Sequence, residues 1–188
     1  MRRRELLQGP VIRCQITDGT GNLAAIRPDV DFVQVREPSL STRELSRFVR
    51  AAIRLGAKVL VNDRVDVALA CGAAGAHLKG GAVSPKLIRR IAPPGFVITV
   101  ACHSEEDVCR AVGADFVLVS PVFSPISKVD TREPLRLAGL GRIAHVSPVP
   151  VLALGGITET KARSCLEVGA IGVAGISLWR TSVGPNGR

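Results

Sequence analysis

Eight short aliphatic runs, separated by helical patterns, constrain the fold more than any other feature of the chain. They fall at 11–17, 32–35, 58–61, 75–78, 97–101, 116–119, 149–154 and 172–175. Runs this short suit buried strands. Most do not alternate apolar with polar residues, so both faces of the sheet are expected to be covered, as in a parallel sheet under helices. Between the runs, Ser41-Thr42-Arg43-Glu44 has the spacing of a capping box. Leu45, Phe48, Val49, Ala52 and Ile53 then recur at helical intervals up to Gly56. Ser84-Pro85 opens a second helix with Leu87, Ile88 and Ile91 on its apolar stripe. Ser104 is followed by three acids, Glu105, Glu106 and Asp107, which suit a helix's first turn. A further helix is expected over 158–168, with Gly169 behind it.

Repeated right-handed crossovers between parallel strands close into a barrel. The fold class expected is therefore α/β, a single small (βα)8 TIM barrel with short loops. It should occupy 11–179, with a basic tail at 1–10 and a C-terminal tail at 180–188. The open, doubly wound alternative lacks support, because no G-x-G-x-x-G follows the first strand. Barrels of this type usually take about 250 residues, and this chain has 188. Little is left for loops, and the helix between Asp18 and Phe32 should be short or partly lost.

Composition narrows the function classes. Lys and Arg number 25 against 16 Asp and Glu, a net charge of +9. Such a charge invites nucleic acid, but aromatics are only 3% with no Tyr, so bases have almost nothing to stack on. A diffuse positive field suits a phosphorylated metabolite equally well. Neither nucleic acid nor membrane is an expected partner, since no apolar run reaches the ~18 residues of a membrane span. The five cysteines, Cys14, Cys71, Cys102, Cys109 and Cys165, form no CxxC pair. They are expected to be reduced thiols in a cytoplasmic protein.

In such barrels chemistry sits where strands run into the following loops. Those positions here are Asp18, Gln34 to Glu37, Asn62-Asp63-Arg64, His77, Cys102-His103-Ser104, Ser120 to Lys128, Gly155-Gly156 and Gly175-Ile176-Ser177. Glycines leading into a helix let an anion approach the backbone, so Gly155, Gly156, Ile176 and Ser177 are candidate phosphate binders. The alternative is that these glycines only make tight turns. His103, in a polar junction, is a candidate general acid or base. His77 lies within an aliphatic run and is expected to be structural, and His145 is given no role. Asp63 is a candidate metal ligand, although one carboxylate rarely fixes Mg²⁺ unaided. Its other reading is turn or cap chemistry.

These residues resemble the thiamine phosphate synthase/TenI family in order and spacing. The resemblance is carried by Thr17-Asp18, by Gln34-Val35-Arg36-Glu37, by the stretch from Val61 to Asp66 and by Gly75-Ala76-His77-Leu78. It continues through Cys102 to Glu106, Gly113 to Val117, Pro121 to Lys128, Val151 to Ile157 and Gly169 to Ala174. It implies a (βα)8 barrel with one of two activities. The synthase joins a pyrimidine pyrophosphate to a thiazole phosphate with Mg²⁺ on the leaving group. The TenI-like tautomerase aromatises a thiazole carboxylate phosphate by proton transfer, with no metal.

The synthase pattern is half kept. Pro38 stands where the family's clamp has Lys, and Ala82 where it has a second Mg²⁺-binding Asp. Ala101 replaces a Ser, Ser127 replaces a Thr, and Pro125 stands where another Thr often donates. Whether Lys79 or another cation makes up for the lost Lys is open at this point. The departures favour the metal-free, cofactor-free tautomerase. There His103 would shuttle a proton and Glu37 would assist. Gln34, Arg36, Asn62, Ser127 and Lys128 would bind substrate, and Arg36 or Lys128 would pair with its carboxylate. The alternative is a synthase using Mg²⁺ at Asp63. A third is a regulatory barrel that binds a phosphorylated ligand without catalysis. Barrels of this kind often associate, so a homo-oligomer is among the expectations.

Overall fold

The computed structural model describes residues 11–27, 29–81, 83–124 and 132–178. Eight strands form one closed parallel barrel in sequence order. They are β1 (Ile12–Ile16), β2 (Phe32–Val35), β3 (Val59–Asn62), β4 (Gly75–Leu78), β5 (Val97–Cys102), β6 (Phe116–Val119), β7 (Val151–Leu154) and β8 (Gly172–Gly175). β8 returns to β1 in parallel, with Cys14 opposite Ala174, which closes the ring. The tails at 1–10 and 180–188, together with Ser127 and Lys128, lie outside the described residues.

Each strand is apolar on both sides because each side has its own core. Cys14, Ile16, Leu60, Phe116, Leu118, Leu152 and Ala174 fill the barrel interior. The Phe32 and Phe116 rings meet there at 5.6 Å between centroids. Alternate residues such as Val33, Val35, Val59, Val61, Val117, Val119 and Val151 face outward under the helices. Burying a side chain of this size contributes roughly 1.5–3 kcal/mol. Two aliphatic layers thus replace the aromatic content the sequence lacks.

The helices form where local signals call for them. α1 (Thr42–Arg54) begins with a complete capping box between Ser41 and Glu44 and buries Leu45, Phe48, Val49 and Ala52. It is followed by α2 (Val65–Cys71), α3 (Pro85–Arg89), α4 (Glu105–Arg110), α5 (Arg136–Val146) and α6 (Glu159–Glu167). Ser104 caps α4 and Thr158 caps α6 through their hydroxyls. The apolar stripe expected on α3 is only partly used. Ile88 is buried, whereas Leu87 and Ile91 are 53% and 65% exposed. The helix has five residues, too few to turn a full stripe inward, and Pro93-Pro94 follow closely.

Among the described residues the first crossover holds a single 3₁₀ turn, Leu23–Ala25, and no α-helix. Gln15 on β1 accounts for its attachment. Its buried side chain donates from Nε2 to the Ala25 carbonyl at 2.7 Å and accepts at Oε1 from the Arg27 amide at 2.8 Å. An amide tether on the strand stands where a helix would pack.

Candidate active site

The polar residues gather at the carboxyl ends of the strands. Gln34 ends the inward row of β2, and Asn62 ends β3. Gln34 Nε2 donates to Asn62 Oδ1 at 2.9 Å, and Asn62 Nδ2 donates to Asp63 Oδ2 at 3.1 Å. The direction of this relay follows from its end, because a carboxylate only accepts. Asn62 must present its NH₂ to Asp63, which leaves its oxygen for the NH₂ of Gln34. Gln34 Oε1 then remains buried and without a partner. An unpaired buried acceptor costs about 1–3 kcal/mol, so a donor brought by a ligand would be well rewarded.

Asp63 itself continues the relay to β4. Its backbone lies in the left-handed region at φ 59°, which Asp tolerates. Its Oδ1 accepts the Lys79 amide at 3.1 Å, and its Oδ2 is ion-paired to the Lys79 ammonium. Asp63 is not the N-cap of α2, which is Arg64 and makes no side-chain capping bond. Next to it, His77 is buried and its Nδ1 contacts Thr99 Oγ1 at 2.8 Å. Burial pushes the His77 pKa down to about 4 against a smaller upward pull from Asp63.

Glu37 and His103 lie three strands apart around the barrel, on the ends of β2 and β5. Glu37 is buried, and its Oε2 accepts the Gly21 amide at 2.8 Å. Its Oε1 has no partner. It thus ties the first crossover to β2 and presents one unsatisfied oxygen. His103 Nδ1 lies 2.6 Å from the Ser120 carbonyl, which can only accept, so Nδ1 carries the proton. Nε2 is left as the acceptor and faces Arg132 Nη1 at 2.7 Å. His103 thus directs Nδ1 to a carbonyl and Nε2 to an arginine.

Gly155 and Gly156 follow β7, and Ile176 and Ser177 follow the neighbouring β8, where Leu154 pairs with Ala174. The glycines are required by packing whatever they bind. At Gly156 φ is +60°, and a Cβ would sit 2.3 Å from the Ser124 carbonyl oxygen. At Gly155 it would sit 2.9 Å from Pro121 Cα. Lys161 lies over the Phe123 ring at 4.6 Å and reaches the Gly156 carbonyl at 3.4 Å. This places one ammonium beside the loop.

The structure thus joins Gln34, Asn62 and Asp63 in one relay and sets the β7 and β8 ends side by side. Arg36 begins the loop after β2, with its amide on Thr17 Oγ1 at 2.9 Å. One participant escaped the sequence reading, and another was left open there. Arg132 follows no pattern that could point to it. Lys79 has a signal, since it stands one residue past β4 on the same rim as Asp63.

A Mg²⁺ ion does not fit this donor set. The ion demands near-octahedral oxygen ligation. Asp63 already takes donors on both oxygens. Among the described residues no group of three or more His, Cys, Asp or Glu could hold a metal.

Fold and rim together define a (βα)8-barrel enzyme with its polar groups at the carboxyl ends of the strands. Comparison with known proteins makes this specific. Residues 17–178 match the family model described as thiamine monophosphate synthase. A thiamine-phosphate synthase of Albidiferax ferrireducens is 39% identical over 163 residues, covering 82% of this chain and 73% of that protein. A putative thiamine-phosphate synthase 2 of Aquifex aeolicus is 36% identical, covering 82% and 85%. Among solved structures, a thiamine phosphate pyrophosphorylase from Pyrococcus furiosus superposes with a TM-score of 0.75 at 30% identity, covering 89% and 86%. The chain belongs to the thiamine monophosphate synthase family. Among the described residues, no helix is long and apolar enough to cross a membrane.

Proposed function

We propose that this chain is a transferase of the thiamine-phosphate synthase type. In that reaction the ring nitrogen of a thiazole phosphate bonds to the methylene carbon of an aminopyrimidine pyrophosphate. The carbon–oxygen bond to pyrophosphate breaks, and pyrophosphate leaves with the electron pair. The observation that carries this reading is the orphaned Oε1 of Gln34. It needs an N–H donor, which an aminopyrimidine brings and an aromatic thiazole lacks. The names of the curated relatives point the same way. In this reading Gln34 and Asn62 hold the pyrimidine, and Arg36 and Lys128 are the cations assigned to the anionic groups. Gly155, Gly156, Ile176, Ser177 and Ser127 receive the thiazole phosphate. A soluble biosynthetic role of this kind belongs in the cytoplasm.

The TenI-like tautomerase is a second reading, favoured by one observation. His103 offers an unprotonated Nε2, because its Nδ1 proton is committed to Ser120. It can take a proton from a substrate carbon once Arg132 Nη1, 2.7 Å away, is displaced. Both readings are tested together by supplying each substrate set and separating the products by chromatography. Thiamine phosphate and pyrophosphate in equal amounts are expected. Aromatised thiazole alone, with no pyrophosphate, would overturn the synthase in favour of the tautomerase.

A further inference from the structure

Asp63 and Lys79 close a small ring. The Lys79 amide holds one carboxylate oxygen and the Lys79 ammonium holds the other. The Asn62 amide adds a third donor at 3.1 Å. The Asp63 side chain is 22% exposed and that of Lys79 is 76% exposed. The carboxylate is therefore a largely buried anchor, and the ammonium stands at the surface of the mouth. An ammonium has three N–H donors, so two remain for a ligand. Tethered at its backbone amide and at its tip, this lysine does not range freely as a surface lysine does. A divalent ion approaching Asp63 would have to expel the ammonium or accept a like charge beside it.

The charge at this corner balances without an ion. Mg²⁺ between two carboxylates sums to zero, and so does one ammonium on one carboxylate. Residue 82, where the resemblance calls for a second acid, is Ala. A cation at 79 and no acid at 82 in the sequence are consistent with one another.

We infer that the Lys79 ammonium, oriented by Asp63, takes the place of a divalent ion and binds the pyrophosphate group directly. This rests on the transferase reading, since it concerns that reaction's leaving group. Lys79 would touch the substrate, and Asp63 is the positioning residue behind it. Arg36, at the end of β2 on the same rim, supplies a further positive charge.

The test is a calorimetric titration of the full chain with inorganic pyrophosphate, in EDTA and in Mg²⁺. Affinities within about twofold in the two buffers are expected, with a drop of about tenfold or more in Lys79→Gln, the scale of one charge-assisted bond. Lys79→Arg keeps a cation and should stay within a few-fold of the parent. Mn²⁺ titrated in the absence of phosphate should show no bound-ion signal by electron paramagnetic resonance. That signal should appear in the double variant Lys79→Gly, Ala82→Asp. Pyrophosphate binding that requires Mg²⁺, no binding in either buffer, or unchanged binding in Lys79→Gln overturns the inference. Neither measurement reads bond formation. Failure to make thiamine phosphate refutes the transferase and leaves these results standing, and a Mg²⁺ requirement here leaves product formation untouched.

Discussion

His77 makes the stability of the barrel sensitive to acid over a defined interval. It sits inside the barrel on β4, between Asn62 and Thr99 in register, and is 5% exposed. Burial lowers its pKa from 6.5 to about 4. The folded value lies below the unfolded one, so folding favours the neutral ring. Its contribution is complete above the unfolded pKa and is lost as pH falls from about 6.5 toward 4. Each pKa unit corresponds to about 1.4 kcal/mol, so the full interval is worth about 3 kcal/mol. Roughly 1.4 kcal/mol of that is gone at pH 5.5 by linkage. For a chain of this size the loss corresponds to a Tm decrease of about 3–6 °C. Other acids titrate in the same range, so the comparison must be with a variant. His77→Gln keeps a group able to bond Thr99 and does not titrate. Urea unfolding followed by far-UV circular dichroism, at pH 7.5 and at pH 5.5, gives the difference. The parent should lose about 1.4 kcal/mol more than the variant between the two pH values. A gap between the proteins that stays constant with pH would refute the argument.

Two further variants probe the core and the phosphate loop. Leu118 is 1% exposed inside the barrel, and Leu118→Ala should cost about 2–5 kcal/mol through the cavity it leaves, read as a lower urea midpoint. Gly156→Ala drives a methyl toward the Ser124 carbonyl at a left-handed φ and should cost about 1–3 kcal/mol. Calorimetry should also show weaker binding of thiazole phosphate by that variant. Unchanged stability would mean that the loop after β6 yields freely.

The strands were legible because each is a short aliphatic run with its own length limit. The capping box at Ser41 and Glu44 was legible because it is local, and it forms as the spacing predicts. The missing first helix was legible from length alone. What the sequence hid lies in contacts between strand ends. Asp63 and Lys79 are sixteen residues apart, and only closure of β3 against β4 brings them together. The state of His103 depends on the Ser120 carbonyl of the next strand, which no side-chain pattern reveals. Gly155 and Gly156 suggest an anion cradle and a tight contact equally well. Pro121 and Ser124 show that the tight contact is real.

The Gln15 tether has a consequence for how the ring gives way. The outward face beside β2 and β3 is locked under α1, whose four buried side chains must be withdrawn before the strand beneath can loosen. Among the described residues the first crossover has no α-helix and is attached through the two amide bonds of Gln15, the Glu37 bond to Gly21, and ion pairs around Asp29. Groups held by a few polar bonds and by half-buried side chains such as Leu23, Ile26 and Val30 release in smaller excursions than a docked helix, without unfolding of the whole domain. The crossover between β1 and β2 is therefore the seam through which solvent enters first. Its amides exchange with deuterium long before those of β5 and β6 on the far side of the barrel.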